Sequence, residues 1–412
     1  MRYYLSAGLK TLSFFLILPI ATNLLPMAEV GRFFFWVAIV QLGAGITTLG
    51  FSSSVARNAY NLRVTDYVAG VGVVTATGAG LVVGALGMAT GLLTAVVVLA
   101  WLARSLSMIG EARTIARAEV TKLSGIYVAY AVTLPLVSLL AIKTWRASHE
   151  SLLLAFVAAE GLIVVAGLWT LRIKLRENLQ VAGRRFTASV RKAASYGMPI
   201  MIAGLANLGL NSADRFIVAG FWDFEVVAEF SVMYTIAFAS NRFITAPANM
   251  KIFPEFVRGQ NDNQVFSRIR NASGLAWLAT VAYCAFIAML GPLLVRVLLG
   301  ADYNIESLDF ALVSAASALF LLFTINSSHL KVRNQTARMM VILFIALGIS
   351  ITLSLLMVPG LGYRGAAIST LISYACLAAW AVLFLRPILL RPSYLAAGGV
   401  VLTMVVAWAV LQ

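Results

Sequence analysis

Apolar runs of about 20 residues recur along the whole chain, and they restrict its possible folds more than any other feature. A helix needs about 20 residues to cross a bilayer, whereas a membrane barrel would show shorter strands of alternating polarity. Six such runs precede residue 172, and six or seven follow residue 194. The sequence therefore predicts an all-α polytopic membrane protein with 12 core transmembrane helices. A last apolar run at the C-terminus is long enough to be a 13th, or it lies at the membrane interface.

The composition agrees with this fold class. Hydrophobic residues make up 61% of the chain and charged residues 11%, whereas about a quarter of the residues in soluble proteins are charged. Most of the 31 lysines and arginines fall in loops that are cytoplasmic if the N-terminus is cytoplasmic. The positive-inside rule therefore predicts that orientation, and the net charge of +15 indicates topology and lipid headgroup contact rather than nucleic acid.

One long basic stretch divides the chain. Residues 172–194 carry seven lysines and arginines against Glu177 alone, which predicts a cytoplasmic linker between helices that end near Leu171 and begin near Tyr196. Because an even number of helices precedes it, both halves should have the same orientation. The predicted domains are an N-terminal six-helix bundle at 1–171, the linker at 172–194, a C-terminal six-helix bundle at 195–386 and an extra hydrophobic helix at 387–412.

Several predicted helices carry polar residues on one face. Helix 2, from Gly31 to Leu49, carries Gln41, and helix 7 carries Asn207, Asn211 and Asp214 at positions i, i+4 and i+7. Helix 8, from Val226 to Thr245, has a similar stripe that includes Arg242. Polar groups that face hydrocarbon have no hydrogen-bond partners, so we expect these stripes to face the interior.

Patterns typical of catalysis are absent from the sequence. It contains no phosphate-binding loop of the G-x-x-x-x-G-K-[ST] type, and its two histidines lie in predicted loops. Its two cysteines, Cys284 and Cys376, lack the spacing of a metal site or disulfide framework. We therefore expect no cofactor, no metal and no enzymatic activity, with an ion gradient or a cargo gradient as the energy source.

Five short patterns occur in an order that resembles one family: EVGRFF, GFSSSVAR, YGMPIMIAGLANLGLNSADRFIVAGF, LLGADY and GYRGAAISTLISY. The chain resembles the Wzx-type polysaccharide-biosynthesis flippases, in the superfamily that also contains multidrug exporters and the lipid II flippase. The resemblance implies two six-helix bundles around a V-shaped central cavity in the cytoplasmic (inner) membrane. It also implies a cargo, an oligosaccharide repeat unit on undecaprenyl pyrophosphate that is used in surface polysaccharides such as O-antigen. Other polysaccharide assembly proteins would then be partners.

Such a cargo carries a pyrophosphate, and arginine binds phosphate oxygens with a fixed fork of donors. For Arg32 and Arg296 the alternative role is snorkelling to the interface, and for Arg215 it is a structural pair with Asp214. Arg104 and Arg242 lie deeper in polar stripes, which favours the cavity. The candidate headgroup ligands are Arg32, Arg57, Arg104, Arg215, Arg242 and Arg296, with Asn207, Asn211, Gln41 and Tyr234 as further substrate contacts.

Two acids at membrane depth, Glu160 and Asp214, are candidates for coupling to a proton or sodium ion, because burial disfavours a charged carboxylate. The alternative is a packing hydrogen bond or an arginine partner. Tyr234 could stack on a sugar face, although aromatic residues at helical spacing more often serve packing.

Three other functions compete with the flippase hypothesis. An ion-coupled multidrug exporter of the same fold would line its cavity with acids and aromatics, whereas arginine predominates here. A membrane polysaccharide polymerase or ligase needs large external loops, and the predicted external loops are short. A structural scaffold has no need to bury polar stripes.

Overall fold

The chain is described by a computed structural model that covers residues 2–57, 62–87, 92–116, 120–245, 263–300, 302–332, 336–385 and 391–411. Across these ranges the backbone is almost entirely helical and has no strand, which confirms the all-α fold class. The side chains of Arg57 and of the basic residues between Arg172 and Lys192 lie outside the described part of the chain.

The chain forms two compact units, Met1–Gly209 and Leu210–Gln412. In the first unit, α1 packs on α6, α2 packs on α5, and the short α3 packs on both α4 and α5. Long α7 begins in the first unit and ends in the second. The helices are α1 (Arg2–Leu24), α2 (Met27–Thr47), α3 (Phe51–Arg57), α4 (Leu62–Gly87), α5 (Leu92–Ala116), α6 (Val120–Thr144) and α7 (His149–Phe221).

The second unit is built around α10, which packs against α9, α12 and α13, while α11 packs on α12. One of its apolar cores contains Trp277 of α9 and Leu321 of α10. Its helices are α8 (Phe224–Ala237), α9 (Asn263–Leu299), α10 (Ser307–Val332), α11 (Thr336–Leu361), α12 (Tyr363–Leu385) and α13 (Pro392–Leu411), with a π-helical turn at Asn241–Thr245.

Ten segments of the described helices are long and apolar enough to cross a membrane. They include Pro392–Leu411, the predicted thirteenth helix. The described part of α1 adds a shorter apolar segment, Leu12–Leu24. By length and composition this is therefore a multi-pass membrane protein.

The structure corrects the predicted break between helices 6 and 7. Residues 149–221 form one continuous helix, so the basic stretch is helical and Pro199 lies inside the helix rather than near its start. The stretch contains no proline and is rich in alanine, lysine and arginine, which favour helices. Charge in this stretch predicts contact with water, but it does not predict a helix end.

The second correction concerns helix 2 and the loop after it. Helix α2 ends at Thr47, and a turn with positive φ angles at Leu49 (44°) and Gly50 (69°) leads directly into α3. A Cβ atom on Gly50 would lie 2.1 Å from the carbonyl oxygen of Gly197, so only glycine fits here. This close approach joins the α2–α3 turn to α7.

Helix 8 is shorter than predicted, because α8 ends at Ala237 and residues 241–245 form a π-helical turn. Asn241 stabilises this wide turn, since its side chain accepts a hydrogen bond from Thr245 (3.0 Å) and donates one to Ser317 on α10 (3.2 Å). Arg242 therefore lies on an irregular segment and is exposed.

The C-terminal helix α13 packs tightly on α9. Trp277 Nε1 donates a hydrogen bond to the carbonyl oxygen of Tyr394 (2.9 Å). A Cβ atom on Gly398 would lie 2.1 Å from Trp277 Nε1. Leu402 joins the core of the second unit. The predicted extra helix thus belongs to the second unit.

Candidate functional site

An arginine and a glutamate from distant parts of the sequence form an ion pair inside the first unit. Arg104 Nη1 on α5 donates hydrogen bonds to both carboxylate oxygens of Glu160 on α7, at 3.1 and 3.3 Å. Glu160 is 1% exposed, whereas the side chain of Arg104 is 25% exposed. The acid is therefore enclosed while the cation keeps an accessible face.

Two hydroxyl groups complete the surroundings of this carboxylate. Ser107, one turn after Arg104 on α5, donates a hydrogen bond to Oε2 of Glu160, and Tyr130 on α6 donates one to Oε1 at 3.3 Å. Glu111 on α5 interacts electrostatically with Arg104. Donors from two helices therefore stabilise the carboxylate in its charged form.

Helix α5 is held firmly against α2. Thr47 accepts a hydrogen bond from Trp101 Nε1 (3.1 Å) and shares one with Ser105 (2.7 Å). A Cβ atom on Gly43 would lie 2.5 Å from the indole ring of Trp101. Gln41 lies on α2, half-buried and outside these contacts. The contacts fix the helix that carries Arg104.

A second polar cluster lies within the second unit and contains three of the predicted substrate contacts. Asn211 Oδ1 on α7 accepts hydrogen bonds from the hydroxyls of Tyr234 on α8 (2.6 Å) and Tyr374 on α12 (3.2 Å). Arg215 lies one turn after Asn211 and donates from Nη1 to the carbonyl oxygen of Asn211 (3.0 Å). Helices α7, α8 and α12 thus meet at Asn211.

Arg215 also lies over the ring of Tyr234, with its central carbon 5.0 Å from the ring centroid. Its Nε donates a hydrogen bond to Ser231 (3.2 Å). Tyr234 in turn stacks on Phe238 at 4.1 Å and is 5% exposed. In this conformation the guanidinium is oriented by a cation–π contact, and the tyrosine ring is covered by Arg215 and Phe238.

Asp214 and Arg215 are neighbours in sequence, but their side chains have different partners. Asp214 accepts hydrogen bonds from Ser354 on α11 (2.7 Å) and Thr370 on α12 (2.6 Å), and Ser354 also bonds Ser369. Asp214 is 1% exposed. Its described hydrogen-bond donors are hydroxyls, so the alternative of a structural ion pair with Arg215 is not the arrangement in this structure.

The other predicted site residues are not among the hydrogen-bond partners of these clusters, although Arg242 interacts electrostatically with Tyr234. Arg242 and Arg296 are exposed, and Asn207 is half-buried in the first unit. Arg32 is exposed and donates to Glu29 at 2.6 Å. The structure describes no side chain for Arg57.

Several charged residues that the sequence pattern does not single out are buried or paired in the structure. Arg113, near the end of α5, is 1% exposed, although a basic residue in that position suggested only topology. His149 donates its backbone N–H to Glu29 (2.9 Å), and its ring Nδ1 lies 2.6 Å from the same carboxylate. Arg364 pairs with buried Asp309 at 2.8 Å, joining the starts of α12 and α10. These contacts join residues that are far apart in the sequence, so the spacing of residues along the chain does not predict them.

In both units, the acids at membrane depth already have donors, whereas Arg104 and Arg215 are only partly covered. Such clusters attract an anion more readily than a cation. Within the described ranges, no group of three or more histidine, cysteine, aspartate or glutamate residues could hold a metal ion.

Comparison with known protein families identifies one match. A family described as "Polysaccharide biosynthesis protein" matches residues 20–308, which is more than half of the chain. No functionally curated protein matches this sequence significantly.

The chain is similar in fold to solved transporter structures. The inward-facing and outward-facing conformations of a multidrug resistance MATE family transporter of the MOP superfamily match with TM-scores of 0.63 and 0.64. They are 14% and 15% identical, with 98% of this chain and 94% and 95% of the other chain covered. A MOP superfamily transporter from Pyrococcus furiosus matches with a TM-score of 0.55 at 15% identity, over 93% of this chain and 94% of that one. At these identities the likeness establishes the fold.

Proposed function

The chain belongs to the polysaccharide biosynthesis protein family, and from that premise we propose that it is a flippase for lipid-linked oligosaccharides. It moves undecaprenyl-pyrophosphate-linked repeat units across the cytoplasmic membrane for surface polysaccharide assembly. The match of the family over residues 20–308 is the observation that carries this proposal.

The charges in the two polar clusters support an anionic cargo. An exporter of cationic drugs would need accessible acids, yet Glu160 and Asp214 are each 1% exposed and occupied by donors. Arg104 keeps an accessible face, and Arg242 is exposed. The neighbour from Pyrococcus furiosus is described as having a binding pocket of reversed polarity that suggests a different function, so this fold is compatible with more than one cargo charge.

Alternating access is the proposed mechanism of transport. The fold matches both an inward-facing and an outward-facing transporter structure at similar TM-scores. Arg104, Arg215 and Arg242 contribute to the cationic surface that receives the pyrophosphate, and Glu160 and Asp214 are the candidate coupling acids. The N-terminus and the basic segment at 172–194 lie in the cytoplasm.

Flipping can be measured with purified protein in vesicles. The probe is a polyprenyl-pyrophosphate disaccharide with a fluorophore on its sugar, and a membrane-impermeant quencher reports the fraction in the outer leaflet. We expect the protein to accelerate exchange between leaflets. Arg104→Lys should retain part of this rate, because it keeps the charge but loses the fork, and Arg104→Gln should lose about tenfold or more.

Arg146→Gln is the matched control, because Arg146 lies in the exposed α6–α7 connection, and it should flip the probe like the wild type. A protein that leaves the probe in its original leaflet but moves ethidium across the same vesicles would overturn the flippase proposal in favour of a drug exporter.

A further inference from the structure

A groove opens on the second unit where α10 ends, α11 begins and α12 ends. Its volume is about 570 Å³, and small-molecule pockets span about 300–1,000 Å³. Helices α10 and α11 contact each other little, whereas each packs extensively on α12. The groove therefore lies between α10 and α11, with α12 as its floor. Its lining residues include Leu330, Arg338, Val341, Ile342, Trp380 and Phe384.

The floor of the groove is aromatic and its walls are aliphatic. The rings of Trp380 and Phe384, one turn apart on α12, are stacked with their centroids 6.3 Å apart and their planes 24° apart. Val341 and Ile342 on α11 and the buried Leu330 on α10 line the walls. An acyl chain can contact such a surface along its whole length, because many weak dispersion contacts add up.

Arg338 is the charged residue among the described lining residues. It lies in the first turn of α11 and is exposed. Within the described ranges its side chain makes no hydrogen bond and no ion pair. Its donors are therefore available to phosphate oxygens, which arginine binds through two parallel hydrogen bonds. The start of α11 adds the partial positive charge of a helix N-terminus.

We propose that this groove is a binding site for an anionic phospholipid of the cytoplasmic leaflet. The predicted orientation places the start of α11 and the end of α12 on the cytoplasmic side, where anionic lipids make the membrane surface negative. The lipid phosphate binds Arg338, and one acyl chain lies against Trp380 between α10 and α11. None of the described lining residues belongs to the two polar clusters, so this lipid is a resident partner rather than the cargo.

The charge of the groove favours a phospholipid over the proposed cargo. A phosphodiester headgroup carries a single negative charge, which one arginine can neutralise, whereas a pyrophosphate is more highly charged. The excess charge would lie beside an apolar surface without compensation, which is costly. The match between one arginine and one phosphodiester therefore indicates an ordinary anionic membrane lipid.

Fluorescence quenching can detect the lipid at Trp380. Phosphatidylglycerol with bromine atoms on its acyl chains quenches a tryptophan that the chains touch. The full-length protein, purified in detergent and stripped of lipid, should show saturable quenching by this probe. Most of the saturable part should disappear in Trp380→Phe. Brominated phosphatidylcholine, whose headgroup has no net charge, should need an about tenfold higher concentration.

Substitutions of arginine test the headgroup contact. Arg338→Gln should weaken phosphatidylglycerol binding about tenfold and remove the preference over phosphatidylcholine. Arg338→Lys should retain part of the affinity, because it keeps the charge but loses the fork. Arg391→Gln is the matched control, since Arg391 is also exposed but lies outside the lining, and it should bind like the wild type.

Substitutions on α11 test the acyl-chain contact. Val341→Phe places a larger side chain in the groove and should reduce the saturable quenching of Trp380 for both lipids. Leu356→Phe is its control, because Leu356 is exposed on the same helix but lies outside the lining. This variant should be quenched like the wild type.

Three outcomes would overturn the phospholipid site. Equal affinity for the two lipids, or unchanged affinity in Arg338→Gln, would leave only an apolar surface in contact with membrane lipid in general. An equal loss in Arg391→Gln would indicate diffuse attraction to a basic surface. A polyprenyl-pyrophosphate sugar that displaces phosphatidylglycerol at equal concentration would make the groove a cargo site. Because the flippase assay follows the disaccharide probe, each of these results leaves the proposed function standing.

Discussion

Glu160 and Asp214 are equally buried acids, yet the donors around them differ in kind. Glu160 has a cationic partner, Arg104, whereas the hydrogen-bond donors of Asp214 are the neutral hydroxyls of Ser354 and Thr370. These hydroxyls come from α11 and α12, so Asp214 fastens the end of α7 to two other helices of the second unit. The two acids therefore need different tests.

Replacing Asp214 should weaken the second unit. Asp214→Ala leaves Ser354 and Thr370 without their acceptor, and we expect a loss of about 2–4 kcal/mol in the free energy of unfolding. Asp214→Asn keeps one acceptor oxygen, so it should cost less. Thermal unfolding of the detergent-purified protein measures both variants.

The control for these variants is Asp223→Ala, because Asp223 is exposed and makes no side-chain hydrogen bond to the start of α8. It should melt like the wild type. Equal melting temperatures for Asp214→Ala and the wild type would mean that the hydroxyl contacts contribute nothing to stability.

The sequence identified both Arg104 and Glu160 as unusual, because charge inside an apolar run is costly. It did not reveal their contact, since the residues are 56 positions apart and lie on helices that only the tertiary fold brings together. Arg113 was missed for a related reason. Its position near the end of a helix suggests a topological role, and its burial depends on neighbours from other segments.

At the scale of helices, glycine positions determine which pairs pack closely. Gly43 faces the indole ring of Trp101, and Gly398 faces that of Trp277, so the same contact type joins α2 to α5 and α13 to α9. A missing Cβ allows the tryptophan ring to lie against the helix backbone. Small residues in the sequence predict close helix packing, but only the structure shows which helix packs against each glycine.

Two adjacent glycines on α13 provide a matched test of its position. A Cβ atom on Gly398 would overlap Trp277, whereas nothing lies within 4 Å of one on Gly399. We expect Gly398→Ala to lower the melting temperature, because α13 must move away from α9. Gly399→Ala should be neutral or slightly stabilising, since alanine favours helices. Equal effects of the two changes would contradict this docking of α13.

Each predicted apolar run corresponds to a helix, although helix 8 ends earlier than predicted, since length and hydropathy are local properties of the chain. The ends of the helices were harder to predict. The break after Thr47 depends on Gly50, whose need for glycine comes from Gly197 in a distant segment. The prediction that the basic stretch at 172–194 interrupts a helix was wrong. Its charge indicates only that these residues are exposed to water, whereas its residue types favour a continuous helix.

For the whole molecule, each unit contains its own apolar core and its own arginine-containing polar cluster. Since the described contacts of each cluster lie within one unit, stability and cargo contact can be tested separately in the two halves. The direction of transport is defined by which loops face the cytoplasm. The charge pattern predicts these loops, and thiol labelling can test the prediction.

We predict that the basic segment at 172–194 is cytoplasmic, and that the α6–α7 connection and the C-terminus are external. Single thiols would be introduced as Arg184→Cys, Ala147→Cys and Leu411→Cys after Cys284 and Cys376 have been changed to alanine. In intact cells a membrane-impermeant maleimide should label the thiols at 147 and 411, and the thiol at 184 only after permeabilisation.

The thiol at 411 distinguishes a helix that crosses the membrane from one that lies on its surface. With a cytoplasmic N-terminus and twelve preceding crossings, a spanning α13 must end outside, and its 20 residues suffice for the hydrocarbon thickness. Labelling at 147 but not at 411 in intact cells would mean that α13 fails to cross, despite its contacts with α9. Labelling at 184 in intact cells would mean that the predicted orientation of both halves is wrong. The predicted number of membrane crossings places residue 184 on the opposite side of the membrane from residues 147 and 411.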